Sequence, residues 1–132
     1  MEVEIKPTKN KGRGVFAKYL IKEGEQHTSE GILLEANSLY RNSIISLYSF
    51  CSQLARDVLL VFDWPSLLNQ SDDPNLTYEP SGNQLILTAL RDIEPGEELT
   101  IYYNWDINES AQKLGIDINK FNNENANNTK KI

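Results

Sequence analysis

Cysteine and histidine are nearly missing from this sequence: there is one of each, Cys51 and His27. A single cysteine excludes an internal disulfide framework and any cysteine-only zinc cluster. With one histidine beside it, no conventional structural zinc set can be assembled, so no metal is expected. Long apolar runs are also missing. The longest, Val58 to Phe62, is far short of the roughly 20 residues that cross a bilayer. The N-terminus, "MEVEIKPTKN", is charged from its second residue and has no apolar signal core. These absences predict a soluble chain in a reducing intracellular compartment, cytoplasm or nucleus, neither secreted nor membrane-bound. Asn-x-Ser/Thr triplets at Asn69, Asn75, Asn108 and Asn127 are only slightly more than chance supplies. Without a signal peptide they carry no glycosylation reading.

Standard catalytic signatures are missing as well. No P-loop pattern occurs, and "GRG" does not open a βαβ unit, which argues against a dinucleotide fingerprint. His27 has no paired Ser or Cys motif around it, so a hydrolase triad is weakly supported and His27 reads as a surface or strand residue. The carboxylate pairs Asp72-Asp73 and Glu97-Glu98 read most simply as solvated turn charges.

What is present fits one globular domain. The chain has 132 residues, 39% of them hydrophobic and 24% charged, ordinary values for a folded soluble protein. The net charge of −6 is unevenly spread. Residues 1–24 carry six basic and three acidic side chains, whereas residues 25–110 carry three basic and fourteen acidic ones. An acidic middle argues against direct binding to nucleic-acid phosphates and would attract a basic peptide. It serves equally well as a surface that maintains solubility.

Turn chemistry organises the chain into short strands. "EVEIKPTKNKGRGVFAKYLIKEGE" reads as strand, glycine turn, strand, turn. In "SLYRNSIISLYSFCSQLA" the apolar spacing predicts a helix from about Ser38 to Leu47, although Tyr48-Ser49-Phe50 also alternates like a strand. "DVLLVF" is a short buried strand or a helix end. Pro80-Ser81-Gly82-Asn83 and Glu94-Pro95-Gly96-Glu97 are turns between strand-like runs. The expectation is a mainly β domain with short helices over residues 1–118. The Asn- and Lys-rich tail 119–132 is expected to be disordered.

Three segments gain a joint meaning from their order: "KGRGVFA", "LLNQSDDPN" and "ALRDIEPGEELTIYYN". Together they resemble the SET-domain family of protein lysine methyltransferases, over roughly residues 4–106. That family shows Gly-x-Gly followed by an aromatic, then Asn-His-Ser-x-x-Pro-Asn, then Gly-Glu-Glu-Leu-Thr with a Tyr three residues on. The short length and the missing zinc cysteines look like the minimal viral and bacterial members, which lack the Cys-rich segment after the domain. The resemblance implies the β-clip fold: small sheets around a pseudo-knotted C-terminal segment, with the Asn loop beside the last Tyr-bearing strand. It implies an enzyme that uses S-adenosylmethionine to methylate a lysine of a basic protein, histone or other.

The resemblance also implies roles. Gly12, Arg13 and Gly14 would bring backbone close to the methionine end of the cofactor. Asn69 would hold it through its amide, and Gln70 would offer backbone to the adenine. Tyr103 would stand at the methyl-transfer point, and Tyr48 would line the lysine channel. Trp105 would cover the cofactor or the channel. Some have a plainer reading: a hairpin turn for Gly12-Arg13-Gly14, core packing for Tyr48 and Trp105. Minimal members can also form homodimers to complete the site. Three positions depart from the pattern. Gln70 replaces the His, Asp72 replaces a Cys, and Tyr102 replaces an Asp before the last Tyr. These departures leave open a catalytically silent SET-like module that binds a basic peptide, or a β-rich interaction domain whose motifs are only turns.

Overall fold

The structure, a computed structural model, describes residues 1–34, 50–51 and 58–103. The helix expected over 38–47 lies outside the described residues, as do Tyr48, Trp105, the boundary at 118 and the tail 119–132. Nine strands are described: β1 (Val3–Pro7), β2 (Arg13–Ala17), β3 (Gln26–Leu34), β4 (Phe50–Cys51), β5 (Val58–Val61), β6 (Asn69–Gln70), β7 (Leu76–Ser81), β8 (Gln84–Ala89) and β9 (Glu98–Ile101). A 3-10 helix, Trp64–Leu67, precedes β6. The mainly β expectation is therefore observed, and "DVLLVF" resolves to a strand.

Local chemistry explains most of the elements. β1 and β2 form an antiparallel hairpin, with Pro7 opposite Arg13. Thr8 closes its loop: the backbone N–H donates to the Gly12 carbonyl at 2.6 Å, and the hydroxyl donates to the same oxygen at 2.8 Å. Gly12 takes φ 70°, a left-handed conformation that costs a side-chain-bearing residue free energy. β7 and β8 pair around a two-residue loop, Gly82-Asn83, with Ser81 opposite Gln84. The turn is tighter than the sequence suggests, because Pro80 and Ser81 already belong to β7. Proline is tolerated there because β7 is the edge strand of its sheet. In β8 buried and partly exposed residues alternate from Leu85 to Ala89, the period of a strand with one covered face.

Two sheets result. One has the order β1-β2-β9-β6 and the other β4-β5-β3-β8-β7. Their inner faces share one core that includes Val15, Leu59, Leu68, Leu85, Ile93 and Leu99, all essentially inaccessible to solvent. Burying such side chains is worth about 1.5–3 kcal/mol each before the entropy of ordering is counted. Ile21 and Ile93 exchange backbone bonds of 2.9 and 2.8 Å, tying the end of the first hairpin to the end of β8.

The pairing that matters for the site is not local. β9 lies between β2, which it meets antiparallel, and β6, which it meets parallel with Asn69 opposite Thr100 and Gln70 opposite Ile101. Three strands far apart in sequence thus meet in one sheet, the arrangement expected of the Asn loop and the last strand. No helix among the described residues is long and apolar enough to cross a membrane.

Candidate active site

Asn69, Gln70 and Tyr103 converge where β6 runs beside β9. The Tyr103 hydroxyl donates to the Leu68 carbonyl at 2.7 Å, one peptide before Asn69. The Tyr103 backbone N–H donates to the side-chain oxygen of Gln70. The Ser71 N–H donates to the Ile101 carbonyl at 2.9 Å and continues the parallel ladder. Asn69 and Tyr103 are therefore spatial neighbours although 33 residues lie between them.

β2 supplies the third side. The Asn69 side-chain Nδ2 donates to the Arg13 carbonyl at 3.0 Å and to Oε2 of Glu98 at 2.9 Å. Gly14 explains how β2, β6 and β9 come this close. A Cβ there would sit 2.7 Å from Oε2 of Glu98, 2.9 Å from the Thr8 methyl and 3.2 Å from Nδ2 of Asn69. The clearance at Gly14 is used by the protein's own polar side chains. Of the residues singled out in the sequence, Arg13, Gly14, Asn69, Gln70 and Tyr103 come together, and Gly12 precedes them in the β1–β2 loop, where its carbonyl accepts from Thr8. Tyr48 and Trp105 fall outside the described residues.

Three residues that local reading passed over complete the frame. Glu98 is no solvated turn charge: its side chain is 20% exposed, bonds Asn69 through one oxygen, and has Lys11 Nζ 3.9 Å from the other. Glu97 is also engaged, accepting from Arg91 at 2.6 Å and from Asn75 at 3.3 Å. The Arg91 bond does most to hold its carboxyl below the usual range, against the opposing effect of burial; the Glu94 N–H and Asn75 add to it. Asn75, 2% exposed, fastens the loop after β6 to β9. It donates to the Glu98 carbonyl at 2.8 Å and accepts from the Thr100 N–H at 2.9 Å. Only these bonds to β9 show Asn75 as a clamp. Tyr102 is 53% exposed, so the aromatic in place of Asp does not fill core.

The 3-10 helix leading into β6 is anchored separately. Asp63 caps it, accepting the Trp64 N–H at 2.7 Å, and also accepts the Ser29 hydroxyl at 2.8 Å. His27 Nε2 lies 2.9 Å from the Ser29 oxygen and 3.2 Å from Asp63, with its ring against Trp64. Burial pushes the Asp63 carboxyl up, but the bonds from Ser29, the Trp64 backbone and His27 outweigh it and hold it low. Ser, His and Asp meet here without forming a nucleophilic relay. The serine gives its proton to Asp63 and is 4% exposed, whereas a triad serine gives its proton to the histidine.

The junction offers an acceptor for a hydrogen-bond donor. Asn69 is 3% exposed, and among the described residues its side-chain oxygen has no hydrogen-bond partner. A buried acceptor left unsatisfied is costly. The Arg13 carbonyl beside it can accept a further bond. An α-ammonium, as S-adenosylmethionine carries, fits both. Among the described residues no cluster of His, Cys, Asp or Glu could hold a metal ion.

Comparison with known proteins agrees with this geometry. The model of the SET domain matches residues 12–104. Histone-lysine N-methyltransferase SMYD3 of Homo sapiens is 60% identical over 38 residues, which cover 29% of this chain and 9% of that protein. The Mus musculus protein of the same name is 35% identical over 89 residues, covering 67% of this chain and 20% of that protein. The chain thus spans about a fifth or less of the length of these curated relatives. A crystal structure described as a candidate histone methyltransferase of Plasmodium falciparum superposes with a TM-score of 0.66 at 24% identity. It covers 80% of this chain and 99% of that one, a likeness of fold. With ordered motifs, the β6–β9 junction and a family match over most of its length, this chain belongs to the SET-domain family.

Proposed function

We propose that this chain carries the active site of a protein-lysine N-methyltransferase that uses S-adenosylmethionine and acts on a basic protein. The observation that supports it most is the bond from the Tyr103 hydroxyl to the Leu68 carbonyl. It sets a phenol beside the peptide that leads into Asn69, so a ligand held by Asn69 and a group met by Tyr103 share one junction. The relatives' description as histone-lysine methyltransferases points the same way.

The roles follow from donor and acceptor chemistry. The Asn69 side-chain oxygen and the Arg13 carbonyl hold the cofactor ammonium, and the backbone of Gln70 faces the adenine. When bound, S-adenosylmethionine supplies a methyl group on a sulfonium, which needs no metal or acid to leave. Transfer requires the lysine amine to be neutral; an unperturbed lysine titrates near 10.4, and an apolar aromatic channel lowers that value by desolvation. Tyr103 gives its one proton to Leu68, so toward the amine its oxygen acts as an acceptor that orients the lone pair. Positioning of this kind supplies much of a bimolecular rate enhancement. The Gln70 side-chain oxygen accepts the Tyr103 backbone N–H, which supports a role for Gln70 in keeping Tyr103 in place.

The test is incubation with labelled S-adenosylmethionine and basic proteins such as histones, followed by mapping of the modified residue. Tyr103→Phe is expected to lose about 100-fold or more in kcat, the usual scale for one oriented polar group. Full activity of that variant would reject the assigned role. Absence of any stabilisation by S-adenosylmethionine or its demethylated product would favour the silent peptide-binding module instead.

A further inference from the structure

We propose that Glu98 is a positioning residue for the cofactor ammonium, acting through the side chain of Asn69; this rests on the methyltransferase reading above. An asparagine amide presents an acceptor on one side and two donors on the other, and the network decides which way it faces. At Asn69 both donors are committed, one to the Arg13 carbonyl at 3.0 Å and one to Oε2 of Glu98 at 2.9 Å. Turning the amide over would set its oxygen against a carbonyl and a carboxylate at those distances. The carboxylate is the stronger partner, because a charge-assisted bond exceeds a neutral one. Glu98 therefore locks the rotamer that presents the Asn69 oxygen to the ligand.

Two further features converge on the same carboxylate. Lys11 Nζ lies 3.9 Å from its other oxygen. Gly14 leaves the space in which Oε2 sits, since a Cβ there would be 2.7 Å away. Both features act on the Glu98 carboxylate. They hold the group that orients Asn69. The Asn69 oxygen, on a side chain 3% exposed and without a partner among the described residues, is the outlet of this arrangement. It selects a hydrogen-bond donor, and the ammonium of the methionine moiety is the donor the proposed cofactor offers.

Two ligands separate positioning from mere packing: S-adenosylhomocysteine, which carries the ammonium, and its analogue lacking only that amino group. Calorimetry would give the dissociation constant of each for the wild type, Glu98→Met and Glu98→Gln. Methionine keeps the volume without an acceptor; glutamine can turn its carbonyl oxygen to Nδ2 of Asn69. The proposal expects Glu98→Met to weaken S-adenosylhomocysteine about tenfold or more, the scale of one charged hydrogen bond. The deamino analogue should change by less than about twofold, and Glu98→Gln should recover most of the loss. Equal weakening of both ligands, or of neither, would overturn it. A wild-type protein that binds neither ligand removes the methyltransferase reading itself, and this proposal with it. If Glu98→Met does not fold, the wild type decides by NMR of the Asn69 side-chain amide. Slow exchange of both Nδ2 protons in the unliganded protein supports the lock, and fast exchange rejects it.

Discussion

Gly14 has no room for a side chain, and the reason is chemical as well as steric. Its missing Cβ admits the Glu98 carboxylate and the Asn69 amide. Gly14→Ala is expected to destabilise the fold by about 1–3 kcal/mol, the usual range for overpacking a tight site. Urea unfolding would measure it, with weakened S-adenosylhomocysteine binding as a second readout. Gln70 behaves differently. Its side-chain oxygen accepts the Tyr103 N–H, and its Nε2 lies 3.5 Å from Asp72. Gln70→Ala should therefore lower kcat more than it raises the KM for cofactor, since it loosens Tyr103 and spares the backbone at position 70. Steady-state kinetics at varied cofactor concentration would check this split. The motif made Asn69 and Tyr103 legible in the sequence. Glu98 was not, because nothing in "PGEELT" distinguishes a carboxylate in water from one folded onto an amide 29 positions away.

At the scale of elements, β9 is the strand on which the site depends. It pairs with β2 on one side and β6 on the other, and Asn75 clamps it to the loop after β6. Asn75→Ala would strand the buried Thr100 N–H and the Glu98 carbonyl. The expected loss is about 2–4 kcal/mol, from the penalty for one buried and one partly buried group left unsatisfied; chemical denaturation would read it. Acid should act on the same region. Asp63 and Glu97 both have carboxyls held below their ordinary values by hydrogen bonds in the fold. In acid the unfolded chain binds those protons first. Their contribution is thus complete above the unfolded carboxylate range near pH 4 and is lost as pH falls through the lower folded values. Thermal melts from pH 7 to pH 2 should show this acid limb, and Asp63→Asn with Glu97→Gln should flatten it. The hairpins and the turns at Gly82 and Gly96 were readable because a few adjacent residues decide them. The parallel pairing of β6 with β9 was not readable from any local period, since two-residue β6 has none.

For the whole molecule, charge is the property that reaches a partner. The net charge is −6, and the acidic side chains concentrate between residues 25 and 110. A basic protein substrate should be drawn in by this field, and salt should weaken the attraction because screening shortens its range to roughly 8–10 Å near physiological ionic strength. The KM for a basic protein is expected to rise severalfold between low and physiological salt. The KM for the cofactor, read in the same assay, should change much less. A protein-substrate KM independent of salt would remove electrostatic steering from the account.

Composition and motif order, by themselves, pointed to the class of fold and to the resemblance that named Gly12, Arg13, Gly14, Asn69, Gln70 and Tyr103. They could do so because turn chemistry and motif spacing are local. Tertiary structure alone decided which way the Asn69 amide faces, that Glu98 and Asn75 hold the junction, and that Gln70 reaches the Tyr103 backbone. Those are hydrogen bonds between residues more than twenty positions apart. Their partners are chosen by register and burial, and an amide or carboxylate looks the same in sequence whether water or another strand satisfies it.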